Sequence, residues 1–191
     1  MKNRLIIFLL IFCHCLVKSQ AQDANVEKSV WGVQILFLPL TIYNESRLTN
    51  KIALRSELSW GFFWSQNFLN DSPQWGIVPY FCLEPRYYYN FNRRLQKGKR
   101  IDGNSGNYIS VYNGFQPGFG IKSENIDFNP FIFIVPMYGL RRHIGKHFNF
   151  ETAIGIGYGL EFEKITYANE TYRETISSTF LNVRIAIGYI F

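Results

Sequence analysis

Three observations predict an all-β chain that folds as an antiparallel, transmembrane, up-and-down β-barrel of eight strands. Large apolar side chains alternate with small or charged ones along several runs of 13 to 15 residues, and a period of two is typical of strands. Aromatic residues make up 18% of the chain, and many of them share one face of these runs. A short apolar segment near the N-terminus has the pattern of a secretory signal peptide.

The signal peptide is predicted over residues 1–21 and is expected to be cleaved, which leaves 22–191 as a single β-barrel domain. Lys2 and Arg4 precede an apolar run at 5–17, and the small residues Ser19 and Ala21 form a cleavage site. The alternative for this run is a membrane anchor. A helix of that length rises only about 20 Å, however, whereas the hydrocarbon core of a bilayer is about 30 Å thick.

Composition and charge narrow the class of protein. Hydrophobic residues make up 47% of the chain and charged residues 18%, which excludes a disordered chain, a collagen and a coiled coil. The formal charge of +6 falls to +3 when the three basic residues of the signal peptide are removed. We do not expect nucleic acid as a partner, because the signal peptide directs the chain to the cell envelope.

Seven strands are readable, and an even number is typical of bacterial single-chain barrels. We therefore expect eight strands, with the eighth in 164–178 or in an irregular part of 22–43. The readable runs exceed the five to six residues common in soluble proteins and suit tilted strands that cross a bilayer. The seven predicted strands are 30–43, 51–64, 75–91, 107–118, 130–142, 147–163 and 179–191.

The two faces of these strands predict which side of the barrel meets lipid. In the run from Phe148 to Phe162 the even positions are mostly large and apolar, whereas the odd positions are glycine, alanine, asparagine or glutamate. A lipid-facing surface requires apolar side chains, and a narrow lumen accommodates small and charged ones. A soluble lipocalin-like barrel, which carries its charges outside, is the competing fold.

The lengths of the connections predict an orientation. Tight turns are expected at 44–50 and 142–146, and longer connections at 91–106, 118–129 and 164–178. Long loops are usually extracellular and short turns periplasmic. Since the last strand is expected to run toward the periplasm, 164–178 is predicted outside the cell and 143–146 in the periplasm.

The last residues, 179–191, alternate to the end of the chain, so that Tyr189 and Phe191 lie on its apolar face. This segment resembles the C-terminal strand of outer-membrane β-barrels, whose terminal phenylalanine is part of the signal read by the barrel-assembly machinery. The resemblance implies that Tyr189 and Phe191 carry this signal and that the assembly machinery is a partner.

A wider resemblance is carried by four further segments: 83–90 (LEPRYYYN), the basic residues of 93–99, 104–108 (NSGNY) and 139–151 (GLRRHIGKHFNFE). In these the chain resembles uncharacterised small outer-membrane β-barrel proteins of Bacteroidetes-type bacteria, and its architecture is similar to that of OmpA- and OmpX-type barrels. The resemblance implies a location in the cell outer membrane, with outer-membrane lipid and lipopolysaccharide as contacts. It implies no active site, and we expect a monomer.

Charged residues on the inner faces predict a salt-bridge network in the lumen. Three arginines and three glutamates balance in charge, and buried charges require partners. We expect a largely closed lumen, and the alternative is a narrow ion path in which the pairs exchange partners. The six residues of the predicted network are Arg55, Glu57, Glu84, Arg86, Glu151 and Arg184.

The connection after residue 91 holds five cations within eight residues. It is either a solvated loop or an anion-binding loop at the membrane edge. In the second case its ligand is the phosphate of lipopolysaccharide if the loop is outside the cell, or a cell-wall polymer if it is periplasmic. The five cations are Arg93, Arg94, Lys97, Lys99 and Arg100.

No pattern in the sequence predicts a catalytic residue, a metal site or a cofactor. His143 and His147 are four residues apart, but they flank a turn between strands, where the helical spacing of metal ligands does not apply. We expect an integral outer-membrane β-barrel with a structural or surface-interaction role, and not an enzyme. The alternatives are a narrow porin-like channel for ions or small solutes and a lipid-acting barrel enzyme.

Overall fold

The computed structural model describes residues 24–35, 40–65, 74–124, 126–167 and 170–191. The predicted signal peptide, residues 1–21, lies outside the described residues. The prediction of an all-β antiparallel chain is confirmed, because one sheet of nine strands accounts for most of the described residues. The single α-helix is short, and in the described residues no helix is both long and apolar enough to span a membrane.

The elements follow one another along the chain with mostly short connections. The strands are β1 (Ser29–Ile35), β2 (Leu40–Arg47), β3 (Ile52–Ser65), β4 (Gln74–Tyr88), β5 (Asn107–Gln116), β6 (Ile121–Lys122), β7 (Phe131–Ile144), β8 (Phe148–Tyr167) and β9 (Glu170–Ile190). The helix α1 (Phe91–Gln96) and a 3₁₀ turn (Asp102–Asn104) lie between β4 and β5.

The sheet closes into a ring. Each strand from β1 to β5 pairs with the next, β5 pairs with β7, and β7, β8 and β9 pair in sequence. The pairing of β1 with β9, from Gly32 opposite Ile190 to Ile35 opposite Ile187, completes the circle. The two-residue strand β6 pairs only with β4 and lies outside this circle.

Two predicted boundaries were wrong. The predicted strand 30–43 is a hairpin of β1 and β2, which provides the additional strand in the N-terminal region. The predicted connection 164–178 is largely strand, because β8 continues to Tyr167 and β9 begins at Glu170. Polar residues in 164–178 obscured the alternation there, because residues 164, 165 and 172–178 extend beyond the neighbouring strands and are exposed on both faces.

The two ends of the ring differ. The connection 89–106, the turns at 48–51 and 145–147, and the described residues at both ends of the chain all lie at one end, here called the plugged end. The β8–β9 hairpin and the connection 117–130 lie at the opposite end. The long connection 89–106 therefore shares an end with the tight turn at 145–147, although the sequence left the side of this connection open.

Alternation along the strands separates the two surfaces of the ring. On β8, Glu151 and Ala153 are buried in the interior, whereas Ile154 and Ile156 are exposed outside, by 51% and 66%. Glycines on the inner face make room for rings from neighbouring strands: a Cβ at Gly159 would lie 2.3 Å from the ring of Phe131. The interior therefore combines charges with closely packed aromatic side chains.

Candidate functional site

Eight charged side chains meet in the interior of the ring, and their formal charges balance. Each of them is at most 8% exposed. The strands β3 and β4 contribute two each, and β2, β7, β8 and β9 contribute one each, so the cluster joins opposite walls of the ring. The cluster, here called the charge network, consists of Arg55, Arg86, Arg141, Arg184, Glu45, Glu57, Glu84 and Glu151.

Glu151 on β8 lies at the centre of the charge network. Arg86 Nη2 donates to its Oε1 at 2.7 Å, and Arg184 Nη1 donates to the same oxygen at 3.0 Å. Arg141 Nε donates to the other oxygen, Oε2, at 2.8 Å, and Arg55 Nη1 makes a longer contact of 3.5 Å. One carboxylate thus accepts hydrogen bonds from four guanidinium groups that come from four different strands.

The other three glutamates complete the pairing of these arginines, and Glu57 pairs with Arg55 and with Arg184. Glu84 accepts from Arg86 at 2.6 Å and from Arg184 at 2.8 Å. Glu45 accepts from Arg141 at 2.8 Å and from the hydroxyl of Tyr88 at 2.7 Å. Charge-assisted hydrogen bonds of this length are about twice as strong as neutral ones, and they offset the cost of removing the charges from water.

Tyrosine rings supply further contacts of the arginines. The guanidinium of Arg55 lies 3.7 Å from the ring centroid of Tyr43, and that of Arg86 lies 4.4 Å from the centroid of Tyr108. The hydroxyl of Tyr108 also donates to Glu151 at 2.8 Å. A desolvated cation over an aromatic face gains about 2 kcal/mol, so the rings both fill the space and stabilise the charges.

All six residues of the predicted lumen network lie in the charge network, but sequence reasoning missed Glu45 and Arg141. Glu45 was assigned to a turn at 44–50, whereas β2 continues to Arg47 and directs Glu45 inward. Arg141 shares the inner face of β7 with Val135 and Met137. Arg141 is separated from these inward-facing residues by an even number of positions, and this spacing is the sequence signal that could have placed it in the interior.

The connection 89–106 fills the plugged end of the ring. Phe91 is buried and stacks on Tyr88, with ring centroids 4.8 Å apart. The buried side chain of Asn104 donates from Nδ2 to Glu45 at 2.7 Å and accepts from the backbone N–H of Glu27 at 2.8 Å. The connection is therefore joined to the charge network itself and to the segment that precedes β1.

Asp102 joins the same connection to the end of β7. Its carboxylate accepts hydrogen bonds from Arg100 and contacts Nδ1 of His143 at 2.7 Å. The hydrogen bond from Arg100, together with the contact with His143, lowers the pKa of Asp102 to about 2 against the opposing effect of partial burial. Asp102 is thus ionised at neutral pH, and both partners hold it.

A cavity of about 340 Å³ lies on the other side of the charge network, toward the opposite end of the ring. Arg55, Glu57 and Arg184 contribute polar groups to its lining. Aromatic side chains form much of its wall: Tyr80, Tyr112, Phe131, Phe133 and Phe180. The cavity therefore combines charged groups with an aromatic wall, in contrast to the packed interior at the plugged end.

The five cations of the predicted anion-binding loop do not all lie together. Four of its five cations line one pocket of about 380 Å³ on the outside of the plugged end: Arg93, Arg94, Lys97 and Lys99. Arg100 is not among the lining residues and pairs with Asp102 instead. Arg142 on β7 also lines this pocket, and the sequence did not indicate it because it lies 42 residues beyond the loop.

The two residues of the predicted assembly signal lie on the outer face. Tyr189 is 37% exposed and Phe191 75% exposed. The ring of Tyr189 stacks on His147 with a centroid distance of 5.1 Å, and the backbone N–H of Phe191 donates to the carbonyl of Trp31 at 3.1 Å. Both aromatic side chains are therefore accessible from outside the ring.

The two histidines of the described residues make separate contacts. His147 Nδ1 lies 3.1 Å from the backbone carbonyl of Ile190, while His143 contacts Asp102. Within the described residues, no group of three histidine, cysteine, aspartate or glutamate side chains is placed to hold a metal ion.

No protein-family model matches the chain, and comparison with curated proteins and with solved structures yields no significant match.

Proposed function

We propose that the chain is an integral outer-membrane β-barrel of eight strands with a structural or surface-interaction role and a closed lumen. The observation that carries this proposal is the polarity of the ring, with charges inside and large apolar side chains outside. All eight strands of the ring expose large hydrophobic residues outward, among them Trp31, Leu40, Phe62, Leu83, Ile109, Ile134, Ile154 and Ile185. A soluble protein rarely exposes an apolar surface that is continuous around the molecule.

The distribution of side-chain types supports a membrane environment for this surface. Aliphatic residues such as Ile154 and Val183 occupy the middle of the outer face, and aromatic residues occupy both ends. The exposed aromatic residues on the outer face of β8 are Phe148 near one end of the band and Tyr158 and Phe162 near the other, and Phe148 and Tyr158 are ten residues apart. Ten residue steps at about 3.3 Å, tilted by about 40°, climb roughly 25 Å, which matches the apolar band of outer-membrane barrels.

The side chains that cross the interior support a structural or surface role over a pore. The charge network joins opposite walls of the ring, and the connection 89–106 fills the plugged end. The cavity at the opposite end is separated from the plugged end by these groups. We further propose that the plugged end faces the periplasm, that the β8–β9 hairpin faces outward from the cell, and that Tyr189 and Phe191 engage the assembly machinery.

Two isoleucines on β8 test whether the outer face meets lipid. Ile154 lies in the apolar band, whereas Ile165 lies in the projecting part of the hairpin, and both side chains are exposed. Arginine near the bilayer midplane costs about 2–4 kcal/mol and close to nothing beyond the interface. We expect Ile154→Arg to reduce the heat-modifiable, folded form in the outer-membrane fraction strongly, and Ile165→Arg to leave it unchanged.

Equal tolerance of both substitutions, together with recovery of the wild-type protein as a water-soluble periplasmic monomer, would overturn the proposal. The outer face would then meet water at both positions. The fraction of heat-modifiable protein on unheated gels and its distribution between membrane and soluble fractions are the two measurements.

A further inference from the structure

The pocket outside the plugged end concentrates positive charge without a negative partner in its lining. It is bounded by α1, by the residues that follow β4, and by the adjoining parts of β5 and β7. Five basic side chains line it, and no aspartate or glutamate does. This pocket, here called the cationic pocket, has the basic residues Arg93, Arg94, Lys97, Lys99 and Arg142.

Two of the guanidinium groups are held in place by neutral acceptors. Arg94 donates twice to the backbone carbonyl of Arg100, at 3.0 and 2.8 Å. Arg142 donates to the side-chain oxygen of Asn107 and to the carbonyl of Arg141. Partial burial and the nearby charge of Arg142 lower the pKa of Arg94. These cations are therefore ordered and mutually repulsive, since no carboxylate accepts from them.

The nearest acidic group in the same connection is already engaged. Asp102 accepts from Arg100 and contacts His143, and it is not part of the lining of the cationic pocket. The exposed cations Arg93, Lys97 and Lys99, in contrast, form no ion pair among the described residues. An anion entering the pocket would thus meet several donors and no competing carboxylate.

The position of the pocket indicates the kind of anion. Tyr89 and Tyr138 line it and are also exposed on the outer face of the ring, by 41% and 51%. Their hydroxyls are hydrogen-bonded to each other at 2.8 Å. Tyrosines on the outer face of a membrane barrel lie at the level of the lipid headgroups, so the cationic pocket opens beside the headgroups.

We propose that the cationic pocket binds the phosphate of an anionic phospholipid headgroup in the leaflet nearest the plugged end. This inference rests on the proposed membrane location of the chain. Guanidinium groups bind phosphate oxygens through paired hydrogen bonds, and lysines add mobile positive charge. The tyrosine rings meet the glycerol and upper acyl region of the same lipid. A zwitterionic headgroup binds less well, because its own cation competes for the phosphate.

Native mass spectrometry of the full folded protein in detergent, with equal amounts of phosphatidylglycerol and phosphatidylcholine added, tests this site. We expect the wild type to retain one phosphatidylglycerol in preference to phosphatidylcholine. The variant Arg93→Gln/Lys97→Gln/Lys99→Gln removes three exposed cations. Each basic residue near an anionic lipid surface strengthens binding by about fivefold, so we expect this variant to retain the lipid at least roughly tenfold less.

The matched control is Lys28→Gln/Lys51→Gln/Lys146→Gln, which removes the same charge from exposed positions at the plugged end but outside the cationic pocket. We expect it to bind like the wild type. Equal losses in the two variants, or equal retention of the two lipids by the wild type, overturn the site. Displacement of the lipid by millimolar inorganic phosphate overturns the lipid assignment in favour of a soluble anion.

Failure of the lipid-binding test can be distinguished from failure of the proposed membrane location. If the Ile154→Arg and Ile165→Arg variants differ as expected and the lipid measurements fail, the chain is a membrane barrel without this lipid site. If the wild-type protein is soluble without detergent, no headgroups surround Tyr89 and Tyr138, and both proposals are wrong.

Discussion

At the scale of single residues, Glu151 accepts more hydrogen bonds than any other described side chain of the interior. Its two oxygens receive hydrogen bonds from four arginines and from the hydroxyl of Tyr108. Because the four arginines of the charge network balance four glutamates, loss of this one charge leaves the interior with an unpaired cation. Buried ion pairs add little net stability when intact, but breaking one is costly for this reason.

We expect Glu151→Gln to lower the free energy of unfolding by about 3–5 kcal/mol. The amide retains the size of the carboxylate but cannot neutralise the surrounding guanidinium groups. Urea unfolding of the refolded protein in detergent micelles, followed by tryptophan fluorescence, measures the change.

Glu174→Gln is the matched control, because Glu174 is exposed on the projecting part of β9. A surface substitution of this kind changes stability by less than about 0.5 kcal/mol. Similar effects of the two substitutions would contradict a central role for Glu151.

At the scale of elements, the connection 89–106 is the part of the described structure whose conformation is hardest to predict from its own sequence. It combines the helix α1 with a 3₁₀ turn, and both Gly103 and Asn104 in that turn have positive φ of 58°. Asparagine tolerates this conformation better than most residues. The turn thereby directs Asn104 toward Glu45 and Asp102 toward His143, which fixes the connection at both sides of the ring.

Acid is expected to loosen this connection in a defined pH range. The folded-state pKa of Asp102 is about 2, below its ordinary value of 3.8, so its ionised form stabilises the closed connection. This contribution is complete above about pH 4 and is lost as the pH falls toward 2. Hydrogen-exchange protection of the Ser105 amide, which donates to the carbonyl of Ile101, should decrease over that range.

Asp102→Asn is the control for this titration, because it removes the ionisable group and keeps the side-chain size. Its Ser105 amide should be less protected at neutral pH and less sensitive to pH between 4 and 2. An unchanged pH response in the variant would assign the effect to another carboxylate.

At the scale of the whole molecule, the eight ring strands enclose an interior that their own side chains cross. Six strands of the ring contribute to the charge network. The other two are joined to it by hydrogen bonds, because Gln34 on β1 donates to Glu151 and Ser110 on β5 donates to Glu84. A barrel of this strand number has an interior just wide enough for its side chains. These crossing groups support the proposed structural or surface-interaction role over the alternative of a channel.

We expect the wild-type protein to produce no stable conductance steps in planar lipid bilayers. Under the proposed closed lumen, the ion pairs across the interior block a water path between the two ends. Conductance steps in the wild type that change with Arg55→Ala, but not with Arg173→Ala in the projecting hairpin, would instead support a narrow channel.

Much of the residue-level arrangement was predictable because a strand repeats every two residues. The parity of Arg55, Glu84 and Glu151 within their runs was enough to assign them to one face. Glu45 was missed because the predicted strand ended at residue 43, before the end of β2. The alternation of a short strand also provides few residues from which to assign a face. The basic residue Arg142 escaped for another reason: its proximity to Arg94 arises from folding, not from sequence distance.

The amino-acid sequence by itself determined the strand character and the two faces of each strand, since both depend on side chains a few residues apart. Only the tertiary structure decided which charges meet, which end of the ring is plugged, and where the cationic pocket forms. These depend on pairings between distant segments, such as Gly32 with Ile190 and Ile52 with Tyr87. A one-residue change in register exchanges the two faces of a strand, so long-range pairing, and not local pattern, assembles the interior.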